Sequence, residues 1–290
     1  MKSLLCLALI VAAAWFCAIP CSAAESAAVI GPTAHEFAKP GGIPLTLYVF
    51  APTAPSPSAA RPAIVLFHGG GWVIGEPAWA FGRAHYFSEH GMVAVAAQYR
   101  LSDEKSVTPI EAMADARSAI RWVRSHAREL GLDPGRIAAY GWSAGGHLAA
   151  CAATISDPSE REAVSCVPNA LVLESPAVAA GSDEWFRHLV GSRDDARHLS
   201  PDENIRPGLP PTVIVEGRTD TVTPLAGVQR FADRMRAAGN RCDLHVLDGA
   251  GHLFTSVGTP DNGIPKPDPA IEQAAFSKLD DFLRELGYFK

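Results

Sequence analysis

The sequence predicts an α/β fold in one domain, with a mostly parallel central sheet and helices on both faces. Short apolar runs recur at residues 63–67, 92–97, 136–140, 170–173, 212–215 and 242–247, with Gly or Pro close by. Runs of that length without strict alternation suit strands buried on both faces. Between them lie stretches with helical periodicity, and strand–helix alternation in this order implies right-handed parallel crossovers. In such sheets the functional loops stand at the carboxyl ends of the strands.

Residues 1–24 read as an export signal: Lys2 near the start, an apolar stretch from Leu4 to Ile19, then Pro20 and small residues up to Ala24. The apolar stretch is shorter than the roughly 20 residues a spanning helix needs. Cleavage after Ala24 leaves residues 25–290 as the catalytic domain of a secreted or periplasmic protein with no stable membrane association. The chain has 25 basic and 31 acidic residues, and losing Lys2 takes the net charge from −6 to −7. A surface of that sign excludes a nucleic-acid backbone as partner. Cys6, Cys17 and Cys21 leave with the signal, so Cys151, Cys166 and Cys242 remain. Three thiols allow at most one internal disulfide, for example Cys151 with Cys166, and buried free thiols are the equal alternative.

Residues 25–61 are rich in Ala, Pro and Ser apart from a strand-like segment at 45–50, which argues against a separate domain there. A helix is expected over 109–130, opened by Pro109, carrying Ile110, Met113, Ile120 and Val123 on its apolar stripe and stopped by Gly131. A second follows Thr223 and Pro224 and runs to Gly239, and a last one spans 269–286.

The chemistry is expected where these elements meet. Gly141, Trp142, Ser143, Ala144 and Gly145 lie between the run at 136–140 and a helix-like stretch, the place of a nucleophile elbow. Ser143 is then the nucleophile, and the Ala144 amide points at the reaction centre. His68, Gly69, Gly70, Gly71 and Trp72 follow the first buried strand; bare glycine backbone suits an oxyanion loop, with Gly70 and Gly71 as donors. His68 is assigned to holding that loop. The acid and base should follow the nucleophile, each on a loop past a late strand. Asp220 follows the run at 212–215, and His252 follows the run at 242–247. Asp248 is the fallback acid. His245, within a strand, and His147, on the helix after Ser143, are assigned to packing. No phosphate-gripping loop, zinc cluster or dinucleotide fingerprint is present, so no cofactor and no metal is expected. Asp261, Asn262 and Asp268 could suggest calcium, but the prolines around them suit a plain ordered loop.

Five segments together, His68 to Trp72, Tyr99 to Leu101, Gly141 to Gly146, Gly217 to Pro224 and Gly249 to Phe254, resemble the hormone-sensitive-lipase-like α/β hydrolases. The nearer branch is similar to bacterial acetyl-xylan and feruloyl esterases. The resemblance covers the chain from about Leu45 to the C-terminal helix and implies the α/β-hydrolase fold and carboxylester hydrolysis through an acyl-enzyme. Two positions depart from the pattern: Glu216 stands where histidine is usual, and Leu253 where glycine is common. Too little chain precedes His68 for a helical lid, so a minimal cap is expected between Glu174 and Pro211, including Trp185 and Phe186. Trp72 and Trp142 are the expected substrate-lining residues, and the substrate is a small-molecule or polysaccharide ester. A peptidase or amidase with the same triad, or a catalytically silent binding module on this fold, are the alternative readings.

Overall fold

The computed structural model describes residues 31–289 except 53–59, 104–105, 157–162 and 261–262. The expected signal therefore lies outside the described residues, as do Asp261 and Asn262. Eight strands form one sheet: β1 (Thr33–Ala38), β2 (Leu45–Phe50), β3 (Arg61–Phe67), β4 (Val93–Ala97), β5 (Leu132–Trp142), β6 (Ala170–Glu174), β7 (Thr212–Gly217) and β8 (Cys242–Leu247). Their spatial order is β1-β2-β4-β3-β5-β6-β7-β8. From β4 to β8 all neighbours are parallel, whereas β1 and β2 pair antiparallel at one edge. The six buried runs read from sequence are β3 to β8.

Two elements had no clear sequence signal. β1 is an edge strand whose residues stay half exposed or exposed, so its mix of polar and apolar positions from Thr33 to Ala38 carries no buried run. Helix α1 (Phe81–Glu89) buries only Ala84, Phe87 and Ser88, too narrow a stripe to stand out.

The other helices are α2 (Pro109–Ser125), α3 (Ala127–Leu130), α4 (Ala144–Thr154), α5 (Glu184–Val190), α6 (Leu225–Ala237) and α7 (Pro269–Glu285). The helix expected over 109–130 is thus two helices. The break is at His126, whose ring stacks on Trp122 at 3.9 Å and whose Nδ1 lies 2.8 Å from the Trp122 carbonyl oxygen. At its start, Thr108 and Glu111 form a reciprocal capping box, and Gly131 ends α3 in the left-handed conformation. Asp268 caps α7 by accepting the Ala270 amide at 3.0 Å.

The sheet separates two apolar cores. Alternate strand residues such as Val65, Val95, Ala139 and Ile214 face α2, α4 and α6, while Ile64, Ala94, Tyr140 and Val215 face α1 and α7. Burial on both faces is what erased strict alternation from these strands. Cys151, Cys166 and Cys242 are all buried and none is disulfide-bonded, so the possible Cys151–Cys166 disulfide is not formed. Cys151 points to His147 and the Leu199 carbonyl, while Cys166 points to the Ala152 carbonyl.

Candidate active site

The central strand β5 stops at Trp142, and Ser143 turns the chain into α4 with φ 53° and ψ −121°. A left-handed φ is costly for a residue with a side chain and is sustained here by the surrounding bonds. Ser143 N–H donates to the Glu174 carbonyl at 3.1 Å, and the Ser143 carbonyl accepts from Ala177 at 3.1 Å. The turn also requires Gly145, because a Cβ there would collide with the Phe67 carbonyl. Gly145→Ala is expected to lower unfolding free energy by about 1–3 kcal/mol through overpacking; a urea midpoint equal to wild type would contradict this contact.

The base and acid come from adjacent parallel strands. Past the ends of β7 and β8 the chain stays paired: Arg218 N–H reaches the Leu247 carbonyl at 3.0 Å and Thr219 N–H the Ala250 carbonyl at 3.0 Å. Gly217 lies so near Gly251 that a Cβ would strike its carbonyl. This stitching brings Asp220 and His252 together: His252 Nδ1 lies 2.7 Å from Asp220 Oδ2, and Nε2 lies 3.1 Å from Ser143 Oγ. The three sequence-assigned residues therefore meet in the order nucleophile, base, acid. Asp220 Oδ1 also accepts the amides of Val222 and Thr223, each at 2.8 Å. Burial opposes ionisation of Asp220, but the His252 contact together with the donors on Asp220, such as the Thr223 amide, holds the carboxyl below its ordinary range. With the carboxylate accepting, Nδ1 carries the proton and Nε2 is free to accept one from Ser143.

Gly70 and Gly71 stand at φ 121° and 58°, and the next residue, Trp72, at 66°. Among the described residues neither glycine amide is spent on another backbone carbonyl. Ala144 is the first residue of α4, where an amide has no intrahelical acceptor. His68 holds this loop from inside. Its Nδ1 lies 2.6 Å from the Gly69 carbonyl oxygen, so it donates there, and its ring stacks on Tyr99 at 4.4 Å. Burial pushes its pKa down to about 4, which keeps the ring neutral.

A cavity of about 1020 Å³ opens over Ser143 and is lined by Trp72, Trp142, Pro176, Trp185, Val222 and Leu253 among others. Trp72 is a buried wall of it: its indole N–H donates to His147 Nδ1 at 3.3 Å, and its ring packs on Phe186. His147 in turn donates from Nε2 to the Leu199 carbonyl at 2.9 Å, so it supports the wall rather than the chemistry. Trp142 stands beside Arg83, whose guanidinium carbon is 4.8 Å from the ring centroid. His245 is part of β8, and Asp248 is exposed and ion-paired with Arg218, away from His252.

The short cap carries Trp185 on α5, half exposed, donating its indole N–H to the Gly71 carbonyl at 3.1 Å. It fastens the cap to the loop that bears the glycine amides. Trp185→Phe keeps the ring and loses this bond, with an expected two- to tenfold fall in kcat, roughly the 0.5–1.5 kcal/mol of one net hydrogen bond; unchanged steady-state kinetics would show that the bond does not position the loop.

Several site residues escaped sequence reasoning. Arg83, Glu174 and Tyr140 form a buried cluster beneath Trp142, with the Arg83–Glu174 ion pair at 2.9 Å. Ser175 Oγ accepts the Leu253 amide at 3.2 Å, and Thr223 Oγ1 lies 2.9 Å from Asp220 Oδ2. The one signal in the sequence was a carboxylate closing an apolar run, at Glu174 and again at Glu216. Leu253 adopts φ 48° and Phe254 φ 64°, which is why glycine suits the first of these positions.

Fold and site define the class: the chain belongs to the α/β-hydrolase family, whose model matches residues 64–256. Among particular relatives, esterase LipI of Mycobacterium tuberculosis is 31% identical over 239 residues, 74% of this chain and 72% of LipI. An acetylxylan esterase of Xylanibacter ruminicola is 27% identical over 205 residues, 66% of this chain and 41% of that protein. The solved butyrate-bound esterase 2 of Thermogutta terrifontis superposes with a TM-score of 0.78 at 38% identity, covering 90% of this chain and 96% of that one. The chain spans about half the length of several other curated relatives, such as esterase LipC of M. tuberculosis at 54%.

Proposed function

We propose that this chain hydrolyses short-chain acyl esters through an acyl-enzyme, that acetyl or feruloyl groups on polysaccharides are its natural substrates, and that it acts after export. The observation that carries the chemistry is the continuous Ser143–His252–Asp220 contact at the floor of an open cavity. In this reading Ser143 Oγ attacks the ester carbonyl while its proton passes to His252 Nε2. The carbonyl π electrons move to oxygen, and the Gly70, Gly71 and Ala144 amides stabilise that oxyanion. Collapse breaks the bond to the alcohol, which leaves with the proton from Nε2. Water then attacks the acyl-enzyme with His252 again taking a proton, the acid departs, and the proton returns to Ser143 Oγ.

The short-acyl reading is supported by the butyrate-bound neighbour, and the polysaccharide reading by the acetylxylan esterase relative. Exposed Ile74, Trp185, Val222 and Ile264 border the cavity, offering an apolar rim and one indole face for an acyl chain or a sugar ring. Export is supported by the composition of residues 1–24, and the acidic surface by the charge balance.

The experiment is a substrate panel with the protein from Glu25 onward: p-nitrophenyl acetate, butyrate and octanoate, acetylated xylan, methyl ferulate and an aminoacyl anilide. Expected are Ser143-dependent turnover of acetate and butyrate, a lower rate on octanoate, release of acetate or ferulate from the natural-type esters, and none from the anilide. Cleavage of the anilide alone would make the chain an amidase, and a folded protein inert on every ester would make it a silent module. Turnover of the p-nitrophenyl esters without acetate or ferulate release would remove the polysaccharide assignment.

A further inference from the structure

Glu216 lies in β7, opposite Val246 of β8 and one residue before the turn that carries Asp220. Its side chain is fully buried. Oε1 accepts the Gly217 amide at 3.1 Å, and Oε2 is enclosed with no donor beside it. What lies near enough to act on the carboxyl instead is the Asp220 carboxyl. Two ionised carboxylates are both acceptors, so this contact requires a proton on one of them.

Asp220 is the better supplied with donors: Val222 and Thr223 amides on Oδ1, His252 Nδ1 on Oδ2. Thr223 has one hydroxyl proton and two acceptors, Asp220 Oδ2 at 2.9 Å and the Ser175 carbonyl at 3.1 Å. A proton from Glu216 leaves the Thr223 hydroxyl free for Ser175. No cation compensates Glu216 among the described groups packed around it. On β6 Glu174 is paired with Val215, as is His245 on β8, so both side chains lie on the opposite face of the sheet. There Glu174 meets Arg83 and Tyr140, and Arg83 also reaches Glu272 of α7. On α6, Arg230 and Arg234 are turned to Asp202.

We propose that Glu216 is a neutral carboxylic acid whose proton is donated to Asp220, making it a positioning residue that acts on His252 through the triad carboxylate. Burial, and then the Asp220 charge, favour the protonated form of Glu216 well above the ordinary carboxyl range. The donated bond keeps Asp220 ionised and oriented while tempering its pull on the His252 proton. The inference rests on Asp220 as the carboxylate that orients the base.

The test compares the wild type with Glu216→Gln, whose amide donates as a neutral acid does but cannot titrate, and with Glu216→Leu, which cannot donate. The first readout uses no turnover. Equilibrium denaturation is measured from acid to neutral pH. In the wild type the unfolded chain releases the Glu216 proton above about pH 4.3 while the folded chain keeps it, so stability falls as pH rises. The folding constant of Glu216→Gln relative to wild type should therefore rise about tenfold per pH unit above that point. A ratio flat with pH means an ionised Glu216 and overturns the proposal, whatever the esterase panel shows. The second readout is kcat/KM against pH on p-nitrophenyl butyrate. Glu216→Gln should stay within about threefold of wild type, while Glu216→Leu should lose on the order of tenfold, the weight of a hydrogen bond to a charged group. The acid limb should stay in place for Gln and move to higher pH for Leu, because Asp220 then holds the imidazolium more strongly. A Gln variant as impaired as Leu, or acid limbs that coincide in all three proteins, overturns the positioning role. Should Glu216→Leu fail to fold, the wild-type and Gln proteins still decide it through the denaturation series.

Discussion

Ser143→Ala is expected to lower kcat on p-nitrophenyl butyrate by on the order of 10⁶, as loss of the nucleophile does in other serine hydrolases. The oxygen that bonds to the acyl carbon is gone, and Cβ of alanine offers no lone pair. The variant should not reach the uncatalysed rate, because the Gly70, Gly71 and Ala144 amides still favour an oxyanion; a residual of about 10³–10⁴ over water is the expected floor. The fold should be retained, since the Ser143 backbone bonds to Glu174 and Ala177 do not involve the hydroxyl. Alanine also tolerates the φ of 53° no worse than serine does. Stopped-flow and long-time assays on the folded variant check this, and retention of a tenth of the activity would remove Ser143 from the mechanism.

Asp220→Asn carries the next largest effect, a loss on the order of 10⁴ in kcat. The reason is the direction of one hydrogen bond. The carboxylate accepts from Nδ1, whereas an asparagine amide facing Nδ1 donates to it. Nδ1 then becomes the acceptor, the ring proton moves to Nε2, and the atom 3.1 Å from Ser143 Oγ loses its ability to take a proton. Asp248→Asn, by contrast, should leave kcat within about twofold, because its exposed side chain only meets Arg218 and such surface pairs contribute little. Reversal of that ranking in parallel kinetics would transfer the orienting role from Asp220 to Asp248.

The buried strands and the turns that follow them were legible because each signal was local. A run of apolar residues closed by a glycine turn announces both a strand and the place where a side chain is exposed at its end. Ser143, Asp220 and His252 each sit on such a turn, and chain order alone suggested their roles. The helix expected over 109–130 illustrates the limit. Its apolar stripe continues through the region, and only the stacking of His126 on Trp122 marks the break. β1 was hidden because an edge strand needs one buried face at most, so its residues carry no strong pattern.

The sequence by itself determined the α/β class and the order of the buried strands along the chain, and it singled out three residues, Ser143, Asp220 and His252, that the fold brings into contact. These follow from period, turn chemistry and residue type, which are properties of neighbours in the chain. Tertiary structure alone decided which residues surround them. The pairing of β7 with β8 brings Asp220 to His252, the cap lays Trp185 on Gly71, and the three cysteines are buried without a disulfide. The state of Glu216 belongs to the same category. A glutamate ending an apolar run reads as an ordinary charge in sequence; only enclosure beside a second carboxyl, with no cation to offset it among the described residues, makes it the proton donor proposed here.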